Sequence, residues 1–191
     1  MTLRQTTMTA CLAVTIAAAL ASHALAQTGA ESFTATATIK TAGAAEANAP
    51  VTITIDRKMS QAEADKLIAA FKSGGAAGLR KALAGVPATG SVQLAKGAPT
   101  PARITIERPT DKGRLITIVT DKPVLFAGAG VPGAKPKEGY DFAVVDLEVD
   151  ASGAGSGTLA PAAKVTLKGS AFVVEDYASE LVRLAGVKKV K

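Results

Sequence analysis

The sequence predicts a mainly β domain of the α+β kind, an antiparallel β-sandwich or barrel of about eight to nine strands with one inserted pair of short helices near residues 60–85. Three observations predict it. Apolar residues alternate with polar ones in many short runs, the period of a half-buried strand. Small-residue clusters rich in glycine separate those runs. A single stretch switches to helical spacing behind a start signal.

The first run, 31–41, sets Phe33, Ala35, Ala37 and Ile39 between threonines, which favour pleated backbone. A small-residue turn is expected over 43–50, and alternation resumes over 51–56. These two runs form the natural first hairpin. Ser60-Gln61-Ala62-Glu63 then spells a capping box, in which the serine oxygen accepts the amide three residues on and the glutamate reaches back. Ala64, Leu67, Ile68 and Phe71 follow at helical spacing. Gly74-Gly75 marks a stop, and a second short helix carries Leu79 and Leu83 as far as Gly85-Val86-Pro87. Helices this short need a sheet to pack on. Further strands are expected over 91–95, 102–108, 114–120, 142–150, 164–168, 171–177 and 181–187. Residues 110–113 and 152–157 have turn composition, and 127–139 holds a dense run of glycine and proline. A loop of that length is often functional. No internal repeat is present.

The start of the chain predicts export. Arg4 precedes an apolar stretch over 10–21 and then Ser22-His23-Ala24-Leu25-Ala26, the three parts of a cleavable secretory signal. The run is too short to span a bilayer, which takes about 20 residues. Cys11 sits at the start of that run and not at the cleavage point, so it is misplaced for lipidation. A signal over 1–26 leaves a single domain over 27–191, periplasmic or secreted, with no transmembrane segment.

Cleavage also sets a chemical boundary. Cys11 and His23 are the only cysteine and histidine, and both leave with the signal. The remaining domain then forms no disulfide and has no thiol nucleophile or Ser-His pair. It lacks the ligands of nearly all zinc, copper and haem sites. No metal, no cofactor and no catalytic residue is expected. Arg4 is the only charged residue of the signal, so 21 basic residues face 16 acidic ones, a net charge of +5. The two Tyr and five Phe are scattered and there is no Trp, which argues against base stacking and nucleic-acid binding.

Four constellations carry some chemistry. Asp146, Glu148 and Asp150 share one face of a strand, where they would bind a cation or raise one carboxyl pKa. The plainer reading is a solvated face neutralised across the hairpin by Lys164 and Lys168. The 150–155 segment offers only Asp150 and Ser152 as calcium ligands and reads as a turn. Gly128, Gly130 and Gly133 match the dinucleotide spacing, but Pro132 and Pro136 forbid the helix it requires. Arg103, Arg108, Lys112 and Arg114 gather on or beside one predicted hairpin, either as an anion-binding group or as an ordinary basic surface.

From Thr120 onward the chain resembles a family of small exported bacterial proteins of uncharacterised function. The residues that carry the resemblance are Thr120-Asp121-Lys122-Pro123-Val124 with Phe126, Tyr140-Asp141-Phe142-Ala143-Val144-Val145-Asp146-Leu147, the 153–157 turn, Ala163-Lys164-Val165-Thr166 and Glu175-Asp176-Tyr177-Ala178. The helical part looks similar in layout. The resemblance implies export and one compact domain, and it transfers no catalytic or binding residue.

The function expected first is a non-enzymatic module binding a small molecule, a lipid or a protein, with an apolar pocket near the helical pair and the 127–139 loop. Arg103, Arg108, Arg114, Phe126 and Tyr140 are its candidate ligand-binding residues. Two alternatives stand beside it. One is a histidine-free carboxylate hydrolase using two of Asp121, Asp146 and Glu148, which requires them to converge in a cleft. The other is an interaction protein that sets the 103–114 hairpin on anionic surfaces.

Overall fold

The computed structural model describes residues 29–40, 46–124, 138–168, 171–177 and 181–190. The signal segment, the 125–137 part of the long loop and Phe126 lie outside the described residues. Nine strands and one helix are found among them, in the order β1 (Glu31–Lys40), β2 (Glu46–Ile55), α1 (Gln61–Ala84), β3 (Gly90–Leu94), β4 (Thr100–Thr110), β5 (Gly113–Thr120), β6 (Phe142–Val149), β7 (Gly155–Lys168), β8 (Ala171–Tyr177) and β9 (Val182–Lys189).

The sheet closes. Strands β1 to β7 pair in sequence, β7 pairs with β9, and β9 returns to β1, every pair antiparallel. The architecture is therefore an eight-stranded barrel and not a sandwich, with β8 as a ninth strand outside the ring. Strand β7 makes this possible by its length. Gly155, Gly157, Thr158 and Leu159 lie against β9, while Ala163 to Lys168 lie against β8.

Two strands begin earlier than their composition suggests. Glu46 to Pro50, expected as a turn, continue the β1–β2 ladder opposite Lys40 to Thr36. Gly155 and Gly157, also expected as turn residues, stand in β7 because the neighbouring backbone comes too close for a side chain. A Cβ on Gly155 would meet the Glu148 carbonyl oxygen at 1.9 Å, and one on Gly157 the Asp146 oxygen at 2.4 Å.

The helical region is one element, α1, kinked into two helical segments. Ser60 caps it, and Glu63 completes the capping box. At Gly75 the backbone leaves helical geometry at φ +58°, a left-handed conformation that glycine adopts cheaply. The element bends so sharply there that a Cβ on Gly78 would lie 2.4 Å from the Ala70 carbonyl oxygen.

Two apolar cores result, one on each side of the barrel wall. The inner core holds Phe33, Ile53, Val92, Ile116, Ile118, Val145, Leu147, Leu159 and Leu184 among others. The outer core packs Leu67, Leu79 and Leu83 of α1 against Ile104, Val119, Phe142, Val144, Ala163 and Val165. Strand β6 thus starts with both faces buried, from Phe142 to Val145, and ends half-solvated. A bulge at Arg103 in β4 changes the phase of alternation. Ala102 points inward, Ile104 outward to the helix and Thr105 inward again. No helix among the described residues is long and apolar enough to cross a membrane.

Candidate functional site

A closed barrel has two mouths, and the inward residue at the end of each strand decides what each mouth is. At one end β1 begins with Glu31, whose position in the strand has the phase of Phe33 and Ala35, so its carboxylate points inward. Arg114 in β5 has the phase of Ile116 and Ile118 and meets it there. Its Nη2 donates to both Glu31 oxygens at 3.1 and 3.0 Å, and its Nη1 donates to Glu107 Oε2 at 3.1 Å. Lys189 Nζ reaches Glu31 Oε1 at 2.8 Å, and Lys58 Nζ reaches Glu107 Oε2 at 2.8 Å. Burial alone would raise the Glu31 carboxyl, but the bonds from Lys189 and Arg114 outweigh it and hold its pKa below the ordinary value. Burial would likewise lower Arg114, and the two glutamates raise it instead. Five charges from five segments plug this mouth.

The opposite mouth is apolar, with small residues set among bulky ones. Ala37 faces Ala49 across β1–β2, and Ala102 faces Thr120 across β4–β5. Ala143 is beside them, its amide donating to Thr120 Oγ1 at 3.0 Å. Mid-barrel, the bulkier pairs Phe33–Ile53 and Ile116–Leu147 fill the section. Toward the Ala37 end the alanines share the interior with Leu184, which faces Ala37 from β9, and with Val182 and Leu94. Val124, buried by the turn that follows β5, lies over that end, its amide donating to the Pro161 carbonyl at 2.9 Å. The buried threonines are satisfied locally: Thr105 Oγ1 bonds Thr89 Oγ1 at 2.9 Å, and Thr120 Oγ1 donates to the Lys122 carbonyl at 2.6 Å. Among the described residues no buried side-chain nitrogen or oxygen lacks a partner.

The residues singled out from sequence do not form one site. Arg103, on the bulge, is a clamp: its Nε donates to Asp121 Oδ2 at 2.9 Å and its Nη1 to the Val86 carbonyl at 2.7 Å, tying the end of α1 to the barrel. Arg114 points into the Glu31 mouth. Arg108 and Lys112 are exposed at the β4–β5 hairpin, so the four basic residues share a hairpin but not a surface. Tyr140 is buried and donates its hydroxyl to Asp176, whose carboxylate raises the phenol pKa. Phe126 lies outside the described residues, as do Gly128, Gly130 and Gly133.

The carboxylates also separate. Asp121 is held by Arg103. Asp146 accepts from Thr117 Oγ1 at 2.6 Å on the outer wall, and Glu148 is exposed two residues on. The expected neutralisation by Lys164 and Lys168 is corrected by the register: Asp146 opposes Thr158 and Glu148 opposes Ser156. Lys164 pairs instead with Glu175 of β8 at 3.2 Å. The lysines sit too far along β7, because that strand begins at Gly155. Asp150 closes the β6–β7 turn by accepting from Ser152 Oγ at 2.6 Å and from the Ser152 and Ala154 amides. These bonds lower its pKa, and all three fall on Oδ1, one of the few oxygens a calcium loop would have here. Among the described residues no group of three or more acidic, histidine or cysteine side chains is placed to hold a metal ion.

The Glu31 network was legible only in part. A glutamate in the apolar phase of β1 and an arginine in that of β5 are signals of inward charge, but their meeting, 83 residues apart, depends on barrel closure. Compared with family models, curated proteins and solved structures, the chain gives no match.

Proposed function

We propose that the chain is an exported, non-enzymatic binding module whose ligand is an apolar chain or ring taken up at the Ala37 end of the barrel. The observation that carries this reading is the asymmetry of the interior: one mouth is plugged by ions, and the other is apolar, with Ala37, Ala49, Ala102 and Ala143 among bulkier residues such as Leu184 and Val182. Eight-stranded barrels are just wide enough either to be filled by side chains or to hold one small ligand. Small residues at one end favour the second use there. Because the described buried polar atoms are already paired, a polar ligand would find no waiting donor or acceptor and would lose its hydration for nothing. An apolar ligand has no such penalty.

Native mass spectrometry of the protein purified from its own host tests this, together with titration of the neutral apolar fluorophore N-phenyl-1-naphthylamine. The reading expects a co-purifying apolar molecule, or saturable dye binding that Ala143→Val weakens while circular dichroism stays unchanged. A ligand-free protein that takes up no dye overturns it. So does dye binding indifferent to both Ala143→Val and Ala102→Val.

A further inference from the structure

The wall of the barrel away from α1 has a composition of its own. Thr34, Thr36 and Thr38 project outward from β1, Thr52 and Thr54 from β2, and Gln93 from β3, in register as Thr34↔Thr52 and Thr52↔Gln93. Rows of this kind repeat every ~6.8 Å along a strand and ~4.8 Å across strands. Strand β9 borders the rows on their other side. There Arg183 stands opposite Thr38 and Lys188 opposite Thr34, both exposed. The bulge at Gly186, at φ +60°, puts Lys188 on this wall. It shifts the phase so that Val187 turns inward and Lys188 outward. The two cations are four β1 residues apart, about 13 Å. Within the paired stretches from β9 across to β3 the described outward side chains carry no carboxylate and no aromatic ring, and the exposed Asp56 follows just beyond the end of β2.

We infer that this wall is a docking surface for an acidic polysaccharide. The argument rests on charge complementarity together with hydrogen-bonding type. Two exposed cations at one edge can pair with carboxylates repeated along an extended uronate chain. Hydroxyl and amide rows can donate and accept, which suits the hydroxyls of a sugar backbone. A nucleic acid matches the cations equally but needs stacking platforms for its bases, and this wall has none.

The test is biolayer interferometry of the purified protein on immobilised polygalacturonate, with dextran and single-stranded DNA as comparison surfaces. Binding to the uronate chain is expected at low salt and should weaken as salt screens the two cations. Arg183→Ala and Lys188→Ala should each weaken it about fivefold, the size of an exposed charge pair. The pair T34V/T36V, which removes hydroxyls at constant shape, should weaken it further, while K66A/K72A on the exposed face of α1 should change nothing. The inference is overturned by absence of binding to polygalacturonate, by DNA binding of equal strength, or by K66A/K72A acting as strongly as the β9 variants. Indifference to T34V/T36V also overturns it, since the attraction would then be charge alone.

Discussion

Replacing Arg114 by methionine removes the central cation of the Glu31 mouth while keeping an apolar stem of similar reach. Three charge-assisted bonds are lost, two to Glu31 and one to Glu107. Removing one partner of a fully buried pair costs about 3–5 kcal/mol, because the other charge is stranded. Here neither glutamate is stranded, since Lys189 still reaches Glu31 and Lys58 still reaches Glu107. The side chains of Arg114 and Glu107 are also 21% and 23% exposed, although that of Glu31 is only 9%. The expected loss is therefore smaller, about 2–3 kcal/mol, in the range of hydrogen bonds to charged groups. For a domain of this size it lowers Tm by about 4–12 °C. Urea unfolding at neutral pH measures it. A companion pH series with Glu31→Gln checks the cause. The Glu31 pKa is lowered in the folded protein, so its contribution is complete above the ordinary glutamate value and disappears as pH falls through the folded one. Wild type should lose stability across that acid window and approach the Glu31→Gln variant, whose profile should be flatter. A loss under ~0.5 kcal/mol for Arg114→Met, the level of an exposed surface pair, would refute the plug. Parallel pH profiles for wild type and Glu31→Gln would refute it too.

Ser60→Ala should cost about 1 kcal/mol by removing the cap of α1. It should also raise Glu63 a little by removing the bond from the Ser60 hydroxyl, while Arg57 and the Ser60 amide, the larger causes that hold it at about 2, stay in place. The part carried by the Glu63 carboxylate is present above the ordinary carboxylate range and fades as pH falls toward 2, so the gap between variant and wild type should narrow in acid to what the Ser60 Oγ bond from the Glu63 amide contributes, as read by hydrogen exchange of the first turn of α1. Gly90→Ala should be far more damaging than Gly186→Ala. At Gly90 a Cβ would lie 1.9 Å from the Thr54 carbonyl oxygen and force β2 and β3 apart, whereas at Gly186 the space is open and only the left-handed backbone is strained, at about 1–2 kcal/mol. Thermal melts of the two variants decide this, and equal losses would contradict it.

Much of the strand pattern could be read locally. The alternation in 31–41 and 114–120 places Phe33, Ala35, Ile116 and Ile118 inward without any knowledge of neighbours. The capping box at Ser60 and Glu63 marks the start of α1 for the same reason, since its partners lie within one turn. Misreadings arose where glycine has two meanings. Gly155 and Gly157 resemble turn residues, but they are strand residues made small by a neighbouring backbone that arrives from β6. Gly75, read as a helix stop, does interrupt the helical geometry, and helix resumes beyond it within α1. The basic residues of the 103–114 hairpin looked like one group because sequence distance says nothing about which side of a closed wall a side chain faces. A bulge at Arg103 sends that residue to the end of α1, and strand phase sends Arg114 into the barrel.

What the sequence determined by itself is the set of short-range choices: strand periodicity, the helix start, and the absence of cysteine and histidine beyond residue 23. These follow from backbone preference and residue chemistry within a few positions of one another. Tertiary structure alone decided that the sheet closes into a barrel, through pairing of β9 with both β1 and β7. Closure is what brings residues 31, 58, 107, 114 and 189 to one mouth and leaves an apolar lining at the other. The physical reason is that closure exchanges the two exposed edges of an open sheet for one more ladder of hydrogen bonds. That exchange depends on strands more than a hundred residues apart in the chain.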